Sequence, residues 1–301
     1  MDVSILDRFR LTALEKGLHL YGIHVYSAEQ GEACHFWRTD DLVHLYSGSK
    51  VFAALGIGMC LDEGRLSLDD RLLDFFPEYR DEAAPGTEAI TLKHLLHMAS
   101  GKPAEEPRPF CRDDWAKLFL KRPLTHAPGS FFEYDNLCTY MLGRVMEKAS
   151  GEQTARDYLI PRLFTPLGIW NPQWMACPGG HTLCGTGLSL HLEEYSRLGR
   201  LLLQKGRWEG RPLVSERFVD DLASDTIDNY FPFNDPEITQ GYGYQVWRCT
   251  QPGSYRADGM YGQFCIVAPH HGAVVTTTAH ESHAVYEIIR AAFDDIINPY
   301  L

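Results

Sequence analysis

Hydrophobic and polar positions follow strand-like patterns at both ends of the chain. After a helical stretch at residues 4–17, the segments LYGIHVYSA and ACHFW flank the polar run Glu29-Gln30-Gly31-Glu32, which predicts two strands joined by a tight turn. Near the other end, segments separated by Gly, Pro and His-Gly turns have the composition of strands: GYGYQVWRC, GSYRADG, GQFCIVAP and GAVVTTTA. Because their connections are short, we expect these strands to be antiparallel neighbours, followed by a closing helix, HAVYEIIRAAFDDII.

The middle of the chain, residues 66–174, has helical periodicity and many loops. Helices are predicted there at residues 72–76, 91–98, 115–119 and 137–148, and after Gly187 a further one runs through EEYSRLGRLLLQ. Strands at both ends with helices between them predict an α/β fold of the α+β type, a mostly antiparallel sheet formed from both chain ends and flanked by helices. We expect a sheet domain at residues 1–62 and 178–301, an inserted, mainly helical domain at residues 63–177, and the active site between them.

One predicted helix, residues 48–61, is apolar on every face, which is typical of a helix buried on all sides. Its first turn carries Lys50, and on a helix the side chain of Ser47, three residues earlier, lies on the same face. Burial disfavours an ammonium and lowers its pKa from about 10.4, leaving a neutral amine that can take a proton from a hydroxyl. The pair therefore indicates a serine nucleophile with a lysine base. The alternative is that Lys50 extends to water while Ser47 caps the helix.

A second candidate group lies in PGSFFEYDN, just before a predicted helix. The phenol of Tyr134 can relay protons to a leaving group, and the amide of Asn136 can hold a lysine and a substrate carbonyl. These residues also fit a plain helix start, with Asp135 or Asn136 as the N-cap and the Tyr134 ring in the core.

Composition and charge narrow the classes of partner. Hydrophobic residues make up 45% of the chain and charged residues 23%, as in a soluble globular protein. The formal net charge of −12 at pH 7 argues against nucleic acid and anionic membranes as partners. Charged residues occupy the N-terminal stretch where a signal peptide needs apolar ones, so we expect a cytoplasmic location. The eight cysteines form no C-x-x-C pair, which favours reduced, buried thiols.

Several motifs occur together in one order along almost the whole chain. They are Ser47-Gly-Ser-Lys50 followed by MCLDEGRLSLDDRLLDFFPEY, then ITLKHLLHMASG, PGSFFEYDN with a helix ending in KASG, TGLSLHLEEYSRLGRLLLQKGRWEGRPLVS, and GYGYQVW. In this order they resemble the serine β-lactamase and penicillin-binding-protein-like family. More narrowly, the chain resembles the branch of class C β-lactamases, D,D-peptidases and esterases, in which the second motif is Tyr-x-Asn.

The resemblance implies a role for each matching residue. Ser47 would be the acylated nucleophile and Lys50 its proton acceptor. Tyr134 would be the partner general acid and base, coupled to Lys50, and Asn136 would orient Lys50 and the substrate amide.

The third motif departs from the family, which usually has Lys or His, then Thr or Ser, then Gly. Here the matching positions are Ala257-Asp258-Gly259, followed by Met260. The backbone N–H groups of Met260 and Ser47 would form the oxyanion hole, which needs no particular side chain. Without the cation, and with Asp258 repelling a carboxylate, we expect poor turnover of penicillins. Asp258 fits a turn before Gly259 equally well, and Arg256 should point away from the face of Ala257.

These motifs predict a serine hydrolase that cleaves an ester or amide through an acyl-enzyme on Ser47. Alternatives are a β-lactamase or D,D-peptidase proper, an acyltransferase, or a catalytically silent binding homologue. No cofactor is expected, and the pair His94 and His97 lacks partners at the spacing of a metal site. The expected partner is a small ester, amide or peptide-like substrate, and the sequence does not indicate the oligomeric state.

Overall fold

The computed structural model describes residues 1–107, 111–230 and 234–301, and its strands come from both ends of the chain. In chain order the strands are β1 (Leu20–Ser27), β2 (Gly31–Phe36), β3 (Val43–His44), β4 (Gln173–Trp174), β5 (Leu188–Leu190), β6 (Arg207–Trp208), β7 (Arg211–Pro212), β8 (Trp247–Arg248), β9 (Tyr255–Gly259), β10 (Gln263–Ala268) and β11 (Ala273–Ala279).

The main sheet has the order β2-β1-β11-β10-β9-β8, and all of its neighbours are antiparallel. Strand β1 pairs with β11, with Val25 opposite Val275, so the two ends of the chain meet at the centre of the sheet. The small strands form a three-stranded sheet, β3-β5-β4, and a hairpin, β6-β7. The predicted fold class, a mostly antiparallel sheet assembled from both ends, is confirmed.

Helices fill the middle of the chain, and together with others at its two ends they cover both faces of the sheet. They are α1 (Asp7–Glu15), α2 (Lys50–Asp62), α3 (Leu92–Leu96), α4 (Trp115–Lys121), α5 (Asn136–Ser150), α6 (Ala155–Leu159), α7 (Leu192–Leu203), α8 (Glu216–Ser224), α9 (Val285–Ala292) and α10 (Asn298–Tyr300). Short 3₁₀ segments occur at Val3–Leu6, Tyr46–Ser49, Leu72–Phe75, Pro77–Glu82, Thr87–Ala89, Pro236–Ile238 and Pro269–His271, and π-helical turns at Ile160–Phe164 and Phe293–Ile297.

Side chains along each strand alternate between the two faces of the sheet, so the hydrophobic core forms two clusters, one on each face. On β10, Phe264 and Ile266 face the cluster that includes α1 and α9, whereas Cys265 and Val267 face the cluster that includes α2, α5 and α7. The second cluster continues without a break into the helical middle of the chain. The division into domains at residues 62/63 and 177/178 stays a prediction.

Two local predictions are corrected. The segment GYGYQVWRC is not one long strand, because Gln245 has a left-handed backbone (φ 65°) and Gly243 N–H donates to the carbonyl of Val246, which turns the chain. Only Trp247–Arg248 pairs as strand β8. Residues 72–75 form a 3₁₀ turn, because Asp74 N–H bonds back three residues to Arg71.

All eight cysteines are free, and six of them are buried. Across residues 1–107, 111–230 and 234–301, no helix combines the length and the apolar character needed to cross a membrane.

Candidate active site

Ser47 lies in a strained turn that leads directly into the buried helix α2. The turn is the 3₁₀ segment Tyr46–Ser49, and Tyr46 has a left-handed backbone with φ of 49°, which is uncommon for a non-glycine residue. The hydroxyl of Ser49 donates to the carbonyl of Tyr46 (2.6 Å) and accepts from the N–H of Leu188 (3.1 Å), so the turn is tied to strand β5. Backbone strain of this kind persists only where the surroundings hold it, and it is concentrated at functional sites.

The side chain of Lys50 lies close to that of Ser47 because side chains three residues apart nearly eclipse each other in a 3₁₀ turn. Its side chain is 1% exposed, and Nζ lies 3.0 Å from Ser47 Oγ. The same Nζ donates to Asn136 Oδ1 (2.5 Å) and to the carbonyl oxygen of Gly185 (2.6 Å). The amine is therefore enclosed by three oxygen atoms and does not extend to water.

Burial lowers the pKa of Lys50 to about 7. The charges of Glu106, Asp135 and Asp258 act in the opposite direction and raise it, but they do not offset the loss of water. A neutral amine has two N–H groups and one lone pair. It can therefore donate to Asn136 and Gly185 and accept the Ser47 hydroxyl proton without losing a hydrogen bond.

Tyr134 and Asn136 are positioned by the start of helix α5. Asp135 is the N-cap residue, and its carboxylate accepts from the N–H of Leu137 (2.9 Å), which frees the Asn136 side chain to reach Lys50. The Tyr134 hydroxyl bonds to Ser47, and its ring lies 4.8 Å from Lys50 Nζ. Burial raises the pKa of Tyr134 far above its usual value, while the bond to Ser47 lowers it, so the phenol keeps its proton at neutral pH.

The third motif lies on strand β9, next to the turn Tyr46–Ser49 that carries Ser47. Ala257 is 1% exposed and packs into the core on the helical side, so it brings no polar group to the site. A Cβ on Gly259 would come within 2.1 Å of the carbonyl oxygen of Leu45, so only glycine permits this contact between the backbones. The next residue, Met260, is 58% exposed, and its carbonyl accepts from Gln263 Nε2 (2.9 Å).

The Gly259→Ala substitution is expected to lower kcat/KM by about 100-fold, since it pushes strand β9 away from Ser47 and such a displacement misaligns the reacting groups. The measurement is hydrolysis of a p-nitrophenyl ester, with circular dichroism to confirm folding. Gly179→Ala is the matched control, because a Cβ there has no neighbour closer than 3.5 Å. Full activity of a folded Gly259→Ala variant would contradict the close approach.

The interpretation of Asp258 as a turn residue needs a correction, whereas its contact with substrate stays a prediction. It lies within strand β9 and not in a turn, and its carboxylate accepts from Arg256 Nε (2.9 Å) and Nη2 (2.8 Å). Arg256 is fully buried and also pairs with Glu237 (3.6 Å), on the face of the sheet opposite Ala257, as its strand position predicts. Because Arg256 neutralises Asp258, this carboxylate repels a substrate anion less than a free one would.

Two groups at the site were not predicted as partners of Lys50 or Asn136. The carbonyl oxygen of Gly185, 135 positions along the chain from Lys50, accepts a hydrogen bond from Lys50 Nζ. The preceding residue, Cys184, has a left-handed backbone with φ of 56°. Glu106 Oε1 accepts from Asn136 Nδ2 at 2.6 Å. The Gly185-Thr186-Gly187 run marks a turn in the sequence, but nothing near Glu106 distinguishes it from a surface carboxylate.

His94 and His97, the pair considered as metal ligands, have structural partners. His94 Nδ1 accepts from the N–H of Thr91 (3.1 Å) in a capping box, and His97 Nε2 lies 2.9 Å from the carbonyl oxygen of Asp225. In the described part of the chain, no three His, Cys, Asp or Glu side chains are grouped closely enough to bind a metal.

Comparison with known proteins agrees with this fold. The model of the family described as Beta-lactamase matches residues 18–296. The esterase EstB of Burkholderia gladioli is 30% identical over 193 residues, which cover 56% of this chain and 48% of that protein. The chain spans about half or less of the length of the curated relatives it matches.

Solved structures share the fold over nearly the whole chain. A penicillin binding protein from Bacillus halodurans superposes with a TM-score of 0.71 at 18% identity, covering 95% of this chain and 98% of the other. A D-stereospecific amidohydrolase from Streptomyces sp. superposes with a TM-score of 0.72 at 16% identity, covering 98% and 99%. At these identities the likeness concerns the fold.

The fold is the one shared with the penicillin binding protein and the amidohydrolase above, and the family model gives the class of protein. The chain belongs to the Beta-lactamase family, as the motifs predict. Assignment to the branch with class C β-lactamases stays a prediction.

Proposed function

We propose that this protein is a serine hydrolase that cleaves an ester or amide through an acyl-enzyme on Ser47. The observation that carries the proposal is the buried Lys50 amine, 3.0 Å from Ser47 Oγ, with its other two positions held by Asn136 and Gly185. A buried lysine with a lowered pKa beside a hydroxyl is an arrangement that activates serine.

In the first half-reaction, Ser47 Oγ attacks the substrate carbonyl carbon while its proton passes to the coupled Lys50–Tyr134 pair. The backbone N–H groups of Ser47 and Met260 stabilise the negative charge that forms on the carbonyl oxygen. The bond to the leaving alcohol or amine breaks, and the leaving group takes a proton from the same pair.

In the second half-reaction, water attacks the acyl carbon and gives its proton to the pair. The bond to Ser47 Oγ breaks, the carboxylic acid leaves, and the serine regains its proton. Ala257 supplies no cation for a substrate carboxylate, so we propose esters and amides without that group as substrates and expect nitrocefin to be hydrolysed poorly.

The test is labelling with a fluorophosphonate probe, which should add its mass to Ser47 and to no other residue. Ser47→Ala should remain folded and unlabelled. Ser130→Ala, which removes an exposed serine hydroxyl bonded to Ala127 O, should label like the wild type. A folded wild-type protein that takes up no label would overturn the proposal.

A further inference from the structure

An exposed carboxylate, that of Glu106, lies at the end of the hydrogen-bonded chain that starts at Ser47. Lys50 Nζ bonds to Ser47 Oγ and to Asn136 Oδ1, and Asn136 Nδ2 donates to Glu106 Oε1 at 2.6 Å. The amide of Asn136 therefore lies between the amine and this carboxylate. Because a carboxylate has about four acceptor positions, Glu106 keeps the capacity to bind a further donor or cation.

The segment that carries Glu106 is fixed to the site by a buried arginine. Arg122 donates to the carbonyl oxygens of Pro103 and Glu105, both at 2.6 Å, so its rigid fork holds the backbone just before Glu106. The same guanidinium donates to Oδ2 of Asp135 at 2.9 Å. Asp135 is the N-cap residue of helix α5 and lies between Tyr134 and Asn136 in the sequence. One side chain thus sets the position of Glu106 relative to the start of helix α5.

Glu106 differs from the other carboxylates near Lys50. Asp258 is paired with Arg256, and Asp135 is paired with Arg122. Within residues 1–107, 111–230 and 234–301, Glu106 has no ion-pair partner, and its contact with Asn136 is with a neutral amide. Of the three carboxylates that raise the pKa of Lys50, Glu106 is therefore the one without an arginine partner among the described residues.

We propose that Glu106 selects substrates that carry a cationic amine group close to the scissile carbonyl. This inference rests on the proposed function and names the substrate class of the same site. It agrees with the third motif, where Ala257 stands at the position from which a cation would hold a substrate anion. The missing cation at Ala257 and the negative charge of Glu106 both favour a cationic substrate over an anionic one.

Substrate binding would strengthen the attraction between the Glu106 carboxylate and the cationic group, since it removes water from around the carboxylate. An exposed ion pair contributes little, and a charge-assisted hydrogen bond or ion pair that is partly covered contributes more. We expect a preference of about five- to tenfold in kcat/KM, decreasing as salt screens the charges.

The experiment compares two p-nitroanilides of nearly the same shape, one with a trimethylammonioacetyl group and one with a neutral 3,3-dimethylbutanoyl group. The permanent charge of the first does not change with pH. The measured quantity is the ratio of their kcat/KM values, cationic over neutral, for the wild type, Glu106→Gln and Glu105→Gln. Glutamine can still accept from Asn136, so Glu106→Gln removes the charge and keeps the bond.

The wild type should show a ratio of about five or more, and Glu106→Gln should bring it close to one. Glu105→Gln is the matched control: its side chain is 75% exposed, its carboxylate faces Arg122 at 3.7 Å, and it should keep the wild-type ratio. An unchanged ratio in Glu106→Gln, or an equal decrease in Glu105→Gln, would overturn the proposal.

The fluorophosphonate probe separates this inference from the proposed function. A wild type that labels on Ser47 and hydrolyses both anilides equally keeps the hydrolase and removes the role of Glu106. A wild type that neither labels nor hydrolyses either anilide removes both.

Discussion

Replacing Lys50 with methionine is expected to lower kcat/KM for a p-nitrophenyl ester by about 1,000-fold, because the substitution removes the proton acceptor of Ser47 and leaves the shape of the side chain nearly unchanged. The measurement is kcat/KM as a function of pH. In the wild type, burial lowers the pKa of Lys50 to about 7, so activity should fall below about that pH as the amine becomes protonated. The residual activity of Lys50→Met should lack this decrease.

Lys102→Met provides the control, because Lys102 is another buried lysine whose contacts do not include Ser47. It donates to Thr87 Oγ1 (2.8 Å) and to the carbonyl oxygens of Leu120 and Arg122. Its replacement should lower stability with a much smaller effect on kcat. If Lys50→Met keeps wild-type kcat/KM while folded, the lysine is not the base.

The Arg256→Met substitution is expected to lower the free energy of unfolding by about 3–5 kcal/mol, since it leaves the buried carboxylate of Glu237 and the partly buried carboxylate of Asp258 without their counter-ion. Arg256 has no exposed surface, and Glu237 is 2% exposed. Burial alone would lower the pKa of the Arg256 guanidinium, but Asp258 and Glu237 together raise it, so the cation is firmly held. Urea unfolding followed by circular dichroism measures the change.

Arg217→Met is the matched control, because Arg217 is 92% exposed and its pair with Asp221 spans 3.8 Å. It should change stability by less than about 0.5 kcal/mol. The double variant Arg256→Met/Asp258→Asn should regain part of the loss, because it removes one of the two unpaired charges. No recovery in the double variant would mean that Arg256 stabilises the strand by packing and not by neutralising Asp258.

Local spacing explains why the Ser47–Lys50 pair was predictable from the sequence. Two side chains three positions apart on one helical turn touch whatever the rest of the fold does. The hydrophobic run after Lys50 likewise predicts burial on all sides, and residues 51–60 are buried throughout. The strands at the two ends were readable because alternation and turn residues are local signals, although the longer strand expected at residues 241–249 was broken by the left-handed Gln245.

Contacts between distant segments were not predictable in the same way. Asn136 lies 86 positions from Lys50, and Gly185 lies 135 positions away. The family resemblance predicts that Asn136 and Tyr134 lie at the site. A backbone carbonyl such as that of Gly185 is present in every residue, so no residue type in the sequence marks it. Glu106 was missed because an acidic residue in a loop has the same local pattern whether it faces water or an active site.

The amino-acid order alone thus decides which chemical groups are present, which of them share a turn and which segments must be buried, because these properties depend on a few neighbouring residues. Only the folded chain decides the charge of those groups. The lowered pKa of Lys50, the neutralised Asp258 and the placement of Glu106 beside Asn136 each depend on side chains that meet through packing and not through sequence position. Because the free energy of a charge depends on the water and counter-ions around it, the chemistry of this site is a property of its tertiary structure.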